Sequence, residues 1–194
     1  MYAYISGKLI EKTPAFVIID VHGIGYHINV SLNTFAAIGN QQQVRLFTHL
    51  SVKEDAHILY GFHDVEERSL FLNLISVSGV GANTARIILS SLNTNEAIEA
   101  ISGGNVAVLQ RVKGIGTKTA QRIVVDLKDK VSRTGGLTSE KTDLAYNTNR
   151  EEALSALLIL GFNKAAVEKV LARLLQNEPS APVEKLIKEA LKVM

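Results

Sequence analysis

Val77-Ser-Gly-Val-Gly-Ala-Asn-Thr-Ala-Arg-Ile-Ile-Leu89 and Val112-Lys-Gly-Ile-Gly-Thr-Lys-Thr-Ala-Gln-Arg-Ile-Val124 are one motif written twice, 35 residues apart. The offset pairs Gly79 with Gly114, Gly81 with Gly116, Thr84 with Thr119, Ala85 with Ala120 and Ile88 with Ile123. Chance is a poor explanation for that many matches. Each copy places a hydrophobic-Gly-hydrophobic-Gly turn ahead of a helix, so the first amides and the positive dipole end of that helix stay exposed and attract an anion. Glycines let a phosphate approach without a Cβ in the way, the apolar residue between them anchors the turn, and Thr84 or Thr119 adds a hydroxyl donor. Nucleotide-cofactor readings fail on detail. A Rossmann loop follows a strand and needs a third glycine where Thr84 and Thr119 stand, and a Walker A loop needs Gly directly before Lys118, where Thr117 intervenes.

Outward from the repeat, residues 64–133 read as short helices. Asp64 with Glu67 and Asn93 with Glu96 have capping-box spacing, Gly103-Gly104 breaks the chain, and Asn105 caps another helix. Residues 1–63 read as strands over Tyr2–Ile10, Phe16–Val21, Tyr26–Val30, Val44–Leu50 and His57–Phe62, with Gly23-Ile24-Gly25 as the turn before the third. Five strands in about sixty residues point to a small Greek-key barrel of the OB type. Thr134 to Asn149 has only scattered apolar residues and reads as a flexible linker. Beyond it, Asn149 with Glu152 forms a third capping box, and three amphipathic segments end the chain, the first closed by Gly161.

Composition narrows the function. The 194 residues are 46% hydrophobic and 21% charged, which excludes disorder. No run approaches the roughly 18 apolar residues of a membrane helix, no export signal is visible, and the lack of cysteine fits the cytoplasm. The net charge is only +2, but residues 65–133 carry nine Lys or Arg against six Asp or Glu. Arg111, Lys113, Lys118, Arg122, Lys128 and Lys130 surround the second hairpin, which should therefore contribute more of the phosphate attraction than the first, with Arg86 and polar Asn83. His22, His27, His49, His57 and His63 lack metal-site spacing, so neither metal nor cofactor is expected. Asp126 falls on the helix that follows the second glycine turn, where a solvent-facing carboxylate is ordinary.

Glycine turns of this pattern resemble the helix-hairpin-helix motif, which holds the DNA backbone across the minor groove without reading sequence. With the barrel, the linker and a last module containing Leu160-Gly161-Phe162, the order of parts resembles the RuvA family, the Holliday-junction-binding subunits of the bacterial branch-migration complex. The likeness covers essentially the whole chain, and Ser51-Val-Lys-Glu-Asp-Ala-His-Ile-Leu-Tyr-Gly-Phe62 is its most telling stretch. It implies a multidomain α and β protein: an OB-fold β-barrel with an acidic pin (1–63), an all-α tandem helix-hairpin-helix domain (64–133), a flexible linker (134–149) and a three-helix, UBA-like module (150–194). DNA-backbone contacts would fall to Gly79, Gly81, Asn83, Thr84, Gly114, Gly116, Lys118, Thr119 and Arg122. Glu54 and Asp55 would form the pin aimed at the junction centre, and Leu157, Leu160 and Phe162 would meet RuvB.

The resemblance further implies a non-catalytic homotetramer on four-way junction DNA, or an octamer. Its partners would be the hexameric ATPase RuvB and the nuclease RuvC, and it would serve ATP-dependent branch migration in recombination, repair and the SOS response. RuvA proteins often carry lysine where Asn83 and Thr117 stand, so these departures point to more geometry-dependent binding. A helix-hairpin-helix repair nuclease or glycosylase, and a protein-interaction scaffold, stay open as alternatives.

Overall fold

In the computed structural model, which describes residues 2–134, 144–179 and 181–193, alternating burial along five strands closes a barrel. The strands β1 (Tyr4–Lys12), β2 (Phe16–Val21), β3 (Ile24–Val30), β4 (Gln43–Val52) and β5 (His57–Phe62) are ordered β1-β2-β3-β5-β4, and β4 returns to β1. All neighbours are antiparallel except β3 and β5. Side chains of alternate residues point inward, so Ile5, Val17, Ile19, Ile28, Val30, Val44 and Leu46 fill the interior. The turn between β2 and β3 is His22-Gly23, not Gly23-Ile24-Gly25. Both residues take positive φ (52° and 87°) and Val21 pairs with Ile24, while Gly25 sits within β3 opposite Asp20. Positive φ at both positions matches the right-handed twist of the flanking strands.

A helix that the sequence reading lacks, α1 (Leu32–Ile38), follows β3. Ser31 caps it by accepting from Thr34 N at 3.0 Å, and Ile38 completes the barrel core. After β5 come α2 (Val65–Ile75), α3 (Ala82–Ser91), α4 (Thr94–Ser102), α5 (Val106–Gln110) and α6 (Thr117–Thr134). Their shared core includes Leu70, Phe71, Leu74, Ile88, Leu89, Ile101, Leu109, Ile123 and Leu127. It runs into the barrel through Tyr60 and Phe62, whose rings lie 5.2 and 4.8 Å from that of Phe71. Barrel and hairpins therefore form one compact unit.

The expected capping box at Asp64 is half right. Asp64 Oδ1 accepts from Glu67 N at 2.7 Å, but the Glu67 side chain turns inward and is only 2% exposed. Ser31 Oγ donates to one of its oxygens and Thr34 Oγ1 donates to the other at 2.5 Å. Burial pushes its carboxyl above the usual range, and the bonds from Ser31 and Thr34 only partly oppose that. The box at Asn93 and Glu96 forms completely.

A second unit holds α7 (Leu144–Ile159), α8 (Lys164–Asn177) and α9 (Val183–Val193). They pack around Ala153, Leu157, Val167, Leu171, Ala181, Leu186 and Ala190. Of the expected linker, residues 135–143 lie outside the described residues. Thr134 ends α6 and 144–149 are helical. Asn149 is consequently not a cap: it lies inside α7 and its Nδ2 donates to Ala181 O at 3.2 Å. Gly161, with φ of 94°, ends α7 in a Schellman turn, with Phe162 N bonded to Leu157 O and Gly161 N to Leu158 O.

Candidate nucleic-acid interface

The two glycine turns share their backbone angles at the first glycine and their hydrogen bonds. Val77 and Val80 in the first, and Val112 and Ile115 in the second, are buried. Val80 N donates to Val77 O at 3.0 Å, and Ile115 N to Val112 O at 3.1 Å. Gly79 and Gly114 both have φ of 90°, a conformation that side chains with a Cβ rarely adopt. The following helices open identically: Ala85 N reaches Gly81 O and Ala120 N reaches Gly116 O, both at 2.9 Å. Amides earlier in each first turn have no carbonyl one turn behind them, and Gly81 offers no side chain to cap α3.

Backbone strain does not account for Gly81 and Gly116, neither of which has positive φ. Gly81 has ordinary extended angles (φ −85°, ψ 168°), and a Cβ built on either residue would meet nothing within 4 Å. The protein's own packing therefore does not require glycine at either position.

Around these turns Asn83, Lys118 and Arg122 are exposed, while Thr84 and Thr119 are half-buried. The structure brings all nine expected backbone-contact residues onto the two turns and the helix starts behind them. It also shows a link invisible to spacing: Arg122 Nη1 donates to Ser78 O at 3.2 Å, across 44 residues, and so joins the two turns. A second link ties the first hairpin to the barrel, where Asn33 Nδ2 donates to Leu89 O at 2.6 Å and Leu92 O at 2.9 Å. Glu54 and Asp55 lie exposed at the tip of the β4–β5 hairpin, which Lys53 N closes on Ala56 O at 2.9 Å.

In the second unit the expected apolar surface needs correction. Leu157 is 0% exposed and belongs to that unit's core, because the burial period along α7 runs through Ala153 and Leu157. Phe162 follows the Schellman glycine and folds back against the same core, half-buried. Leu160, 60% exposed, does face outward, together with Ile159, 83% exposed, which sequence reasoning missed. We expect Leu157→Ala to cost about 2–5 kcal/mol and to unfold a unit this small, whereas Leu160→Ala leaves its helical circular dichroism and melting unchanged. Equal melting of the two variants would refute this placement.

A closed barrel joined to a duplicated helix-turn-helix core, with a separate helical bundle, defines a multidomain protein of OB-fold and tandem helix-hairpin-helix class. Family models agree part by part: "RuvA N terminal domain" matches residues 1–61, "SAM-like Helix-hairpin-helix tandem" residues 71–129, and "RuvA, C-terminal domain" residues 148–194. The chain is similar to proteins named "Holliday junction branch migration complex subunit RuvA". It is 53% identical to that of Christiangramia forsetii and 50% to that of Flavobacterium psychrophilum, each over 192 residues and 99% of both chains. It is 47% identical to that of Bacteroides fragilis over 199 residues, again 99% of both. The chain belongs to the RuvA family.

Proposed function

We propose that this protein binds four-way DNA junctions as the non-catalytic subunit of a branch-migration complex and recruits the ring ATPase RuvB, which supplies the ATP-driven motion. The observation that carries this reading is the pair of congruent turns whose glycines at 81 and 116 leave open space in front of unpaired helix amides. Backbone amides grip sugar-phosphate strands by shape without reading bases. Residues 79–84 and 114–119 with Arg122 form that grip, residues 1–63 present the pin, and residues 150–194 offer RuvB the apolar surface around Leu160. A tetramer would give each arm of a junction an equivalent pair of hairpins. RuvC, an octameric form and a cytoplasmic setting belong to the same reading. No helix among the described residues is long and apolar enough to cross a membrane.

Glu54 and Asp55 carry the wrong charge for a DNA surface, and their exposed place on a hairpin tip suits repulsion of phosphates at a crossover. Gel shifts of labelled four-way junction and linear duplex test both points. The wild type should prefer the junction strongly and release neither nicked strand nor base. Glu54→Gln with Asp55→Asn should tighten junction binding about fivefold, the ~1 kcal/mol of one charge pair about 4 Å apart in water, and slow RuvB-driven migration. Equal binding of junction and duplex would defeat the proposal, and a wild-type-like double variant would defeat the role of the pin.

A further inference from the structure

The two hairpins share a backbone but keep their cations in different places. At the 35-residue offset Asn83 matches Lys118 and Arg86 matches Gln121, so the first hairpin carries its charge one helical turn farther from its glycines. That guanidinium is held at both ends. Arg86 Nη1 donates to Ala15 O at 2.9 Å, and Nη2 donates to Asn83 Oδ1 at 3.1 Å. Ala15 belongs to the β1–β2 turn, where its carbonyl also accepts from Val30 N at 3.1 Å, and Thr13 Oγ1 braces the same turn by accepting from Phe16 N at 3.0 Å. Arg86 therefore rests on rigid barrel backbone.

A guanidinium has donors and no acceptor, so the Asn83 atom facing it must be the amide oxygen. Nδ2, with two N–H groups, is turned the other way. Asn83 is exposed and lies in the first turn of α3, beside the helix amides that have no carbonyl behind them. We infer that Arg86 is a positioning residue for the first hairpin: it orients the Asn83 carboxamide so that Nδ2 joins those amides as a neutral donor to a backbone phosphate. This rests on the phosphate-binding role proposed above for the hairpins. The first hairpin then holds a strand by an oriented amide fixed to the barrel, and the second by the charge of Lys118. A neutral donor releases no counterion, whereas a lysine on a phosphate adds about one to the slope of log affinity against log salt.

The test is a double-mutant cycle on the full chain. Asn83→Ala, Arg86→Ala and the pair are titrated onto labelled four-way junction at several KCl concentrations, beside Lys118→Ala, with melting curves for each. Each single variant should weaken binding about fivefold, the pair no more than the worse single, and the salt slope should stay at the wild-type value. Lys118→Ala should lower the slope by about one. If Arg86→Ala melts below the binding temperature, Arg86→Met, which keeps the apolar stem but removes every donor toward Asn83, carries the cycle in its place. Additive losses, or a slope reduced by about one for Arg86→Ala, would mean that Arg86 grips phosphate itself and would overturn the inference. So would unchanged binding in both single variants. If the wild type fails to prefer the junction, the proposed function fails and this falls with it. A wild type that binds, weakened by Lys118→Ala, with an additive cycle refutes only the role of Arg86.

Discussion

Gly81→Ser combined with Gly116→Ser should make the protein more stable and a poorer DNA binder. Serine is among the best residues ahead of a helix, because its hydroxyl accepts from the second or third amide. The extended angles of Gly81 accept any side chain, and nothing in the protein lies within 4 Å of the added Cβ at either position. Each substitution should gain a few tenths of a kcal/mol and together raise the melting temperature by about 2 °C. In the proposed grip the same hydroxyl would take up amides otherwise open to phosphate, and the new Cβ would stand in the path of the strand. Charge-assisted hydrogen bonds contribute about 1.5–3 kcal/mol each, so losing one per turn should weaken junction binding at least ~100-fold. Serine at Gly79 and Gly114 should instead destabilise, because φ of 90° costs a side chain about 1–2 kcal/mol. Unimpaired junction binding by the 81/116 pair, read by gel shift, would refute the grip.

Glu67→Ala should cost the first unit more stability than any change at its glycine turns. The two Glu67 oxygens accept from Ser31 and Thr34, and Thr34 Oγ1 in turn accepts from His63 N at 3.0 Å, so one buried carboxyl joins α1, the end of β5 and α2. Glu67→Ala leaves two buried hydroxyls without an acceptor, at about 1–3 kcal/mol each, and should lower the melting temperature by roughly 10 °C. The pH dependence has a definite sign. Burial raises this carboxyl above its ordinary 4.5, so the native state keeps a proton that the unfolded chain has released. Its contribution is whole below about pH 4.5 and declines as pH rises through the elevated native value. Denaturant titrations across that window should show stability falling with pH in the wild type and a flatter profile in Glu67→Gln. Parallel profiles would contradict the assignment.

The hairpins were readable before any coordinates because everything that shapes them is local: two glycines, an apolar anchor and a helix start within thirteen residues, repeated. The barrel strands were readable from alternation for the same reason. What escaped is non-local. The spacing of Glu67 from Asp64 marks it only as a capping-box carboxylate, because its partners, Ser31 and Thr34, stand 36 and 33 residues earlier, at the cap and in the first turn of a helix too short to announce itself. Of the apolar residues of the seven-residue α1, Phe35 and Ile38 pack on the barrel core, and no glycine or proline separates the helix from β3. In α7 and just beyond its end, Leu154, Leu157, Leu158 and Leu160 leave the helix phase ambiguous. The start of α7 ahead of Asn149 and the glycine turn at 161 decide that Leu157 faces in and Leu160 faces out.

The hydrogen bond from Arg122 to the Ser78 carbonyl acts at both hairpins at once. With it, and with Leu70, Ile88 and Ile123 in one continuous core, the proposed function would have the two turns approach a duplex arm as a single preorganised jaw. Translational and rotational freedom would then be surrendered once for two strand contacts, and the second would close at an effective concentration set by the protein's own rigidity.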